Sequence, residues 1–149
     1  MKSPPDRVWA VLRDADLRPS WEVGVVAVED VTGPLDEEGT TWTEVRALAG
    51  IKMRERWRVV RVDPLRSLEL AGTSPGGGRI TIRERVAPNA EGGTIKHFEA
   101  DYKLPGGVVG RLLERAFMQR KLERDSLLAD EKFRALAERP AEQDFLSAR

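Results

Sequence analysis

The chain has no cysteine, a single histidine, a single tyrosine and no formal net charge. Without cysteine there are no disulfides, thiolate metal sites or cysteine nucleophiles, which suits a reducing compartment. Lys+Arg and Asp+Glu are balanced at 25 each, so the basic excess of a nucleic-acid binder is missing. No apolar run approaches the ~20 residues that span a bilayer. The opening Met1-Lys2-Ser3-Pro4-Pro5-Asp6 lacks the apolar segment of a secretory signal. These absences imply a cytoplasmic protein with no nucleic-acid partner and no stable membrane insertion.

What is present is enough for one core: 149 residues, 40% of them hydrophobic and 34% charged, too apolar a mixture for a disordered chain. Ser3-Pro4-Pro5-Asp6 reads as a helix start, with Ser3 as N-cap and Pro4 in the first turn. Val8, Trp9, Val11 and Leu12 follow at helical spacing. A second short helical turn around Asp14 to Leu17 is expected to stop near Pro19. From Val23 the period changes to two. Strands are expected at about Val23 to Val31, Thr40 to Leu48, Ile51 to Val62, Ser67 to Thr73, Arg79 to Val86 and Thr94 to Leu104. Short Gly-, Pro- and Asn-rich breaks between them imply an antiparallel meander. A long helix follows from about Val108 to Glu138 and stops at Arg139-Pro140. The fold class is α+β, with residues 1–138 expected as one domain and 139–149 as a flexible tail.

Alternation assigns the faces of the strands. Trp42, Met53, Trp57, Leu70, Ile80, Ile82, Phe98 and Tyr102 share an inner face that the long helix should cover with Val109, Leu113, Ala116 and Phe117. The same alternation places Glu44, Arg46, Glu55 and Glu84 inside. An unpaired buried carboxylate costs several kcal/mol, so these residues must be paired, protonated or wet at a rim. They are candidates for a polar contact with a ligand, and Glu55 or Glu84 for a general base. On the long helix, Arg120 falls near the azimuth of Leu113 and Leu127 and could pair with an inner carboxylate or an acidic ligand group.

Other signals carry less. His97 falls with Glu99 and Asp101 on the outer face, too poor a set for a metal. The run Lys52, Arg54, Arg56, Arg58 faces outward, where Glu69, Glu99 and Asp101 on neighbouring strands answer the sheet's basic residues. Pro75-Gly76-Gly77-Gly78 lacks the Lys-Ser/Thr of a phosphate loop, and Gly106-Gly107-x-x-Gly110 lacks the dinucleotide pattern. No motif implies a metal or a cofactor.

Several local motifs are shared with one superfamily. Pro5-Asp6-Arg7-Val8-Trp9-Ala10-Val11-Leu12 followed by Trp21, then Gly39-Thr40-Thr41-Trp42, Asp63-Pro64-Leu65-Arg66 and Gly92-Gly93-Thr94 resemble, in order and spacing, the START-like (SRPBCC, polyketide cyclase/dehydrase) superfamily. The resemblance covers roughly Ser3 to Glu138. It implies a helix-grip fold, a curved antiparallel sheet wrapped around a long C-terminal helix, with a cavity between them. The superfamily's usual first strand is short or missing here, because only Met1-Lys2 precede Ser3. Either the native start lies upstream of Met1, or a sheet edge is left open for a partner such as a second copy. The implied function is binding of an apolar or amphipathic small molecule (lipid, polyketide or isoprenoid-like). An aromatase/cyclase-like enzyme and a co-chaperone-like interaction module are alternatives. The ligand-contacting residues are expected to be Trp42, Met53, Glu55, Trp57, Ile82, Glu84, Phe98, Tyr102, Leu113, Phe117 and Arg120.

Overall fold

The computed structural model describes residues 1–48, 50–103 and 108–140; at Leu48 and over residues 108–122 the description covers the backbone alone. The first helix, α1 (Pro5–Arg13), starts one residue later than expected. Pro4 is the N-cap and Pro5 the first helical residue, with no side-chain cap bond. The Ser3 hydroxyl donates instead to the Ala137 carbonyl at 2.6 Å, which ties the start of α1 to the end of the last helix. Val8, Trp9, Val11 and Leu12 are all buried.

Asp14 caps a 3₁₀ turn, Ala15–Leu17, by accepting from the Asp16 N–H. A four-residue helix, α2 (Arg18–Trp21), follows directly, with Pro19 in its first turn. Pro19 therefore opens a helix where a stop was expected. Its missing N–H costs nothing in a first turn and its fixed φ suits the helix. This small reversal matters, because α2 carries Arg18 and Trp21 into the interior, where both are buried.

Six antiparallel strands pair strictly with their neighbours in chain order: β1 (Val25–Glu29), β2 (Thr41–Leu48), β3 (Ile51–Asp63), β4 (Ser67–Thr73), β5 (Arg79–Pro88) and β6 (Thr94–Lys103). β1 is shorter than expected because Gly24 and Asp30, at φ +86° and +54°, take left-handed backbone at its two ends. The last helix, α3 (Val108–Ala137), lies against the concave side of the sheet and buries Phe133 and Ala137 with α1, Trp21, Leu68 and Val86. No helix among the described residues is long and apolar enough to cross a membrane.

The open edge is nearly as expected. Met1 forms one rung beside β6: its N-terminal amine donates to the Thr94 carbonyl at 2.8 Å, and the Thr94 N–H donates back to the Met1 carbonyl at 2.9 Å. The Thr94 hydroxyl donates to Ser3 O at 2.7 Å. A Cβ on Gly93 would lie 2.2 Å from the Met1 carbonyl oxygen, so only glycine permits this approach. From Ile95 onward β6 is an edge strand of the described sheet, as β1 is at the other side.

Candidate ligand site on the concave face

One rung of the sheet organises the inner face. Register pairs Trp42 with Trp57, Trp57 with Gly72, Gly72 with Ile80, and Ile80 with Tyr102, across β2 to β6. The Trp57 indole lies flat over Gly72, since a Cβ there would come within 2.8 Å of three ring atoms. It stacks on Trp42 at 6.2 Å between centroids and 12° between planes. Each indole N–H finds a carboxylate two residues along its own strand: Trp42 donates to Glu44 at 3.1 Å and Trp57 to Glu55 at 3.3 Å.

Glu44 and Glu55, opposite each other in the β2–β3 register, anchor a buried chain of alternating charge. Arg18 Nε donates to Glu44 at 2.5 Å. Arg46 donates to Glu55 at 3.3 Å, to Glu44 at 3.4 Å and to the Val23 carbonyl at 2.7 Å. Arg18 also lies over the Trp21 and Trp42 rings, at 5.1 and 5.9 Å, and reaches Glu22 at 3.7 Å. A second ion pair sits across β5 and β6, where Lys96 Nζ is 2.9 Å from Glu84 and 3.6 Å from Asp130. Three rings surround that ammonium: Phe133 at 5.0 Å, Phe98 at 5.7 Å and Trp21 at 5.9 Å. Among the described residues, Trp21 Nε1 is a buried donor without a partner.

Burial and charge pull against each other on these groups. Burial disfavours charge on Arg18, Arg46 and Lys96, yet their carboxylate partners outweigh it and hold all three above their ordinary pKa values. Lys96 is thus an ammonium ion, not a free amine nucleophile. Burial pushes the Glu22 carboxyl above the usual carboxylate range; Arg18 and Arg46 oppose this, while Glu44 and Glu84 reinforce it. Burial also raises the Tyr102 phenol to about 12, with Arg46 opposing and Glu22, Glu55 and Asp125 reinforcing. Tyr102 on β6 thus feels charges from the C-cap of α2, from β2 and β3, and from α3.

The residues singled out in the sequence divide into two sets. Trp42, Glu55, Trp57, Ile82 and Glu84 are sealed, together with Glu44. Met53, Phe98 and Tyr102 are half-buried, as are Ile80 and Arg46. Leu113, Phe117 and Arg120 stand on α3, but their side chains lie outside the described residues, as do Leu104 and the Gly106-Gly107 turn. His97 is exposed on the outer face, and no three potential metal-ligating residues converge among the described residues.

Sequence reasoning missed three members of the site. Lys96 was readable, because it stands two residues before Phe98 on the same face. Arg18 and Glu22 were not, because a four-residue helix has no period to read.

A six-stranded antiparallel sheet curled against a long C-terminal helix, with apolar and paired ionic groups on its concave face, defines a helix-grip protein. The chain belongs to the polyketide cyclase/dehydrase and lipid transport family, whose family model matches residues 2–139. A search of curated proteins by sequence gave no match. Among solved structures, the Zhui aromatase/cyclase from Streptomyces sp. R1128 is similar at 19% identity and TM-score 0.71, over 92% of this chain and 88% of that one. The protein TTHA0849 from Thermus thermophilus is similar at 21% identity and TM-score 0.67, over 92% and 91%. The protein SA2116 from Staphylococcus aureus is similar at 13% identity and TM-score 0.71, over 92% and 88%. At these identities the likeness concerns the fold.

Proposed function

We propose that the protein binds an apolar or amphipathic small molecule, lipid-, polyketide- or isoprenoid-like, between its concave sheet and the N-terminal half of α3. The observation that carries this reading is uneven burial along the inner face. Next to the sealed Trp42–Trp57 pair, Ile80 and Tyr102 on the same rung stay half-buried, as does Met53, which pairs with Arg46 further along the same face of β3. An apolar wall with a few convergent polar groups is the usual make-up of a small-molecule site. The body of the ligand rests on Met53, Ile80 and Tyr102, and its polar end meets Arg46, Glu55 and Glu22. Trp42, Trp57 and Ile82 form the floor beneath. The neutral fluorophore N-phenyl-1-naphthylamine tests this. It should bind with a blue-shifted emission, and Ile80→Trp, which fills the space, should abolish the signal while the protein stays folded. Undiminished binding to Ile80→Trp would contradict the assignment.

A cyclase-like reading has one specific support. Glu22 and Tyr102 are both biased toward their protonated forms, and such O–H donors can polarise a ligand ketone for aldol-type ring closure. On that reading Tyr102→Phe removes turnover of a polyketide-type substrate but leaves its binding. As part of the first reading we place the protein in the cytoplasm, as a homodimer joined at the outer edge of β6; a monomer mass by light scattering would contradict the dimer.

A further inference from the structure

The convex face of the sheet divides into two halves of different charge. Alternation puts Lys52, Arg54, Arg56 and Arg58 on this face, in reach of acidic residues on neighbouring strands. The register supplies those acids at one end only. There Arg61, Glu69, Arg83 and Glu99 share a rung across β3 to β6, and Arg83 and Arg85 are paired with Glu69 and Glu99. Toward Ile51, where β3 begins, Arg56 shares a rung with Thr73, Arg79 and Lys103, and Arg58 shares the next with Ala71, Thr81 and Asp101. Arg56, Arg58, Arg79 and Lys103 are exposed, and none has an ion-pair partner among the described residues. The outward acidic residues on the strands of this half are Glu29, which Arg54 already engages, and Asp101. Ala49 and Leu104-Pro105-Gly106-Gly107, which adjoin it in the chain, carry no charge, and the sheet stands between it and α3.

Exposed cations without acidic partners attract an anionic surface, and the residues beside them indicate which. No Phe, Tyr or Trp stands at an outward position on these strands, so the stacking platform of a single-strand nucleic-acid site is missing. Ile51, next to Lys52 at the tip of the β2–β3 hairpin, is 66% exposed. An isoleucine gains nothing from a phosphate backbone in water, but it gains from the apolar layer beneath lipid headgroups. We propose that this half of the convex face, led by Ile51, docks on an anionic lipid bilayer, with headgroup phosphates against Arg56, Arg58, Arg79 and Lys103. Ile51 lies on the same face of β3 as Met53, two residues on. Docking therefore brings one end of the concave face to the bilayer surface.

Flotation of the full chain with phosphatidylglycerol vesicles, against phosphatidylcholine vesicles, tests this with no pocket ligand present. Binding is expected to phosphatidylglycerol alone, and it should weaken as salt is raised. Arg56→Gln combined with Arg79→Gln should lower the partition coefficient about tenfold, and Ile51→Asn should lower it several-fold. All three positions are exposed, so the fold should survive. Arg83→Gln combined with Arg85→Gln removes the same net charge from the other half, and should change partition by less than about twofold. The proposal is overturned if phosphatidylglycerol vesicles do not carry the protein, if the two double variants lose binding equally, or if Ile51→Asn leaves binding unchanged. Binding to a DNA duplex that depends on Arg56 and Arg79, without vesicle binding, would assign these cations to nucleic acid and overturn it as well. A protein that floats with vesicles yet fails to bind N-phenyl-1-naphthylamine would lose the proposed function and keep the docking face.

Discussion

Trp57 and Tyr102 belong to one rung of the same sheet, yet their surroundings differ. On the β2–β3 side, Trp57 lies flat over Gly72, stacks on Trp42 and sits within a chain of buried ion pairs; it is 2% exposed. On the β5–β6 side, Tyr102 stands at the edge strand, half-buried, with Ile80 beside it. The first half spends its polar groups on one another and is held rigid. The second keeps apolar surface and a protonated phenol accessible. A small-molecule site needs both, a floor that does not collapse and a wall left partly uncovered.

The comparison breaks most visibly at Glu44. This carboxylate is fully buried and accepts from Arg18, Trp42 and Arg46. Glu44→Ala leaves Arg18 buried without its main partner, a loss of about 3–5 kcal/mol expected in denaturant unfolding. Gly72→Ala acts on the same floor more mildly. Its new methyl would displace the Trp57 ring, with an expected cost of about 1–3 kcal/mol and a shifted tryptophan emission. Trp57→Ala should likewise destabilise by ~3–5 kcal/mol, since the ring is sealed; a large loss of ligand affinity with little loss of stability would place Trp57 in the wall and not in the floor.

Substitution on the Tyr102 side should be milder. Tyr102→Phe is expected to change stability by less than about 1 kcal/mol at neutral pH. Its pH signature is the sharper reading. Tyr102 is the only tyrosine, so the ultraviolet absorbance of phenolate follows it alone, with a native midpoint at about 12 against about 10 in the unfolded chain. Because the folded value is the higher one, its contribution to stability is fully present below the unfolded pKa and is lost as pH rises toward 12. Tyr102→Phe should remove that part of the alkaline decline. The part owed to Lys96, whose folded pKa is also raised, should remain. A native phenol titrating near its unfolded value would mean that Tyr102 is open to water.

Much of this architecture could be read in advance, for physical reasons. A two-residue period broken by Gly, Pro and Asn gives a meander with an inner and an outer face, and Glu44, Arg46, Glu55 and Glu84 stood out as charges on the inner one. Alternation cannot give the register that sets Trp57 over Gly72, nor the separation of helix and sheet that seals Ile82 and leaves Ile80 half-buried. It is silent on α2, where Pro19 opens a turn too short for periodicity and thereby carries Arg18 inward. Lys96 followed from the same rule as Phe98, but a lysine near a strand's start reads as surface until Glu84 and three aromatic rings are seen around it.

The most direct test is a nuclear magnetic resonance titration of the full chain with N-phenyl-1-naphthylamine. The account predicts shifts concentrated at Met53, Ile80 and Tyr102, with Val8, Leu12 and Val86 unmoved. Shifts centred on that sealed end, or on the outer face around Arg83 and Glu99, would contradict it.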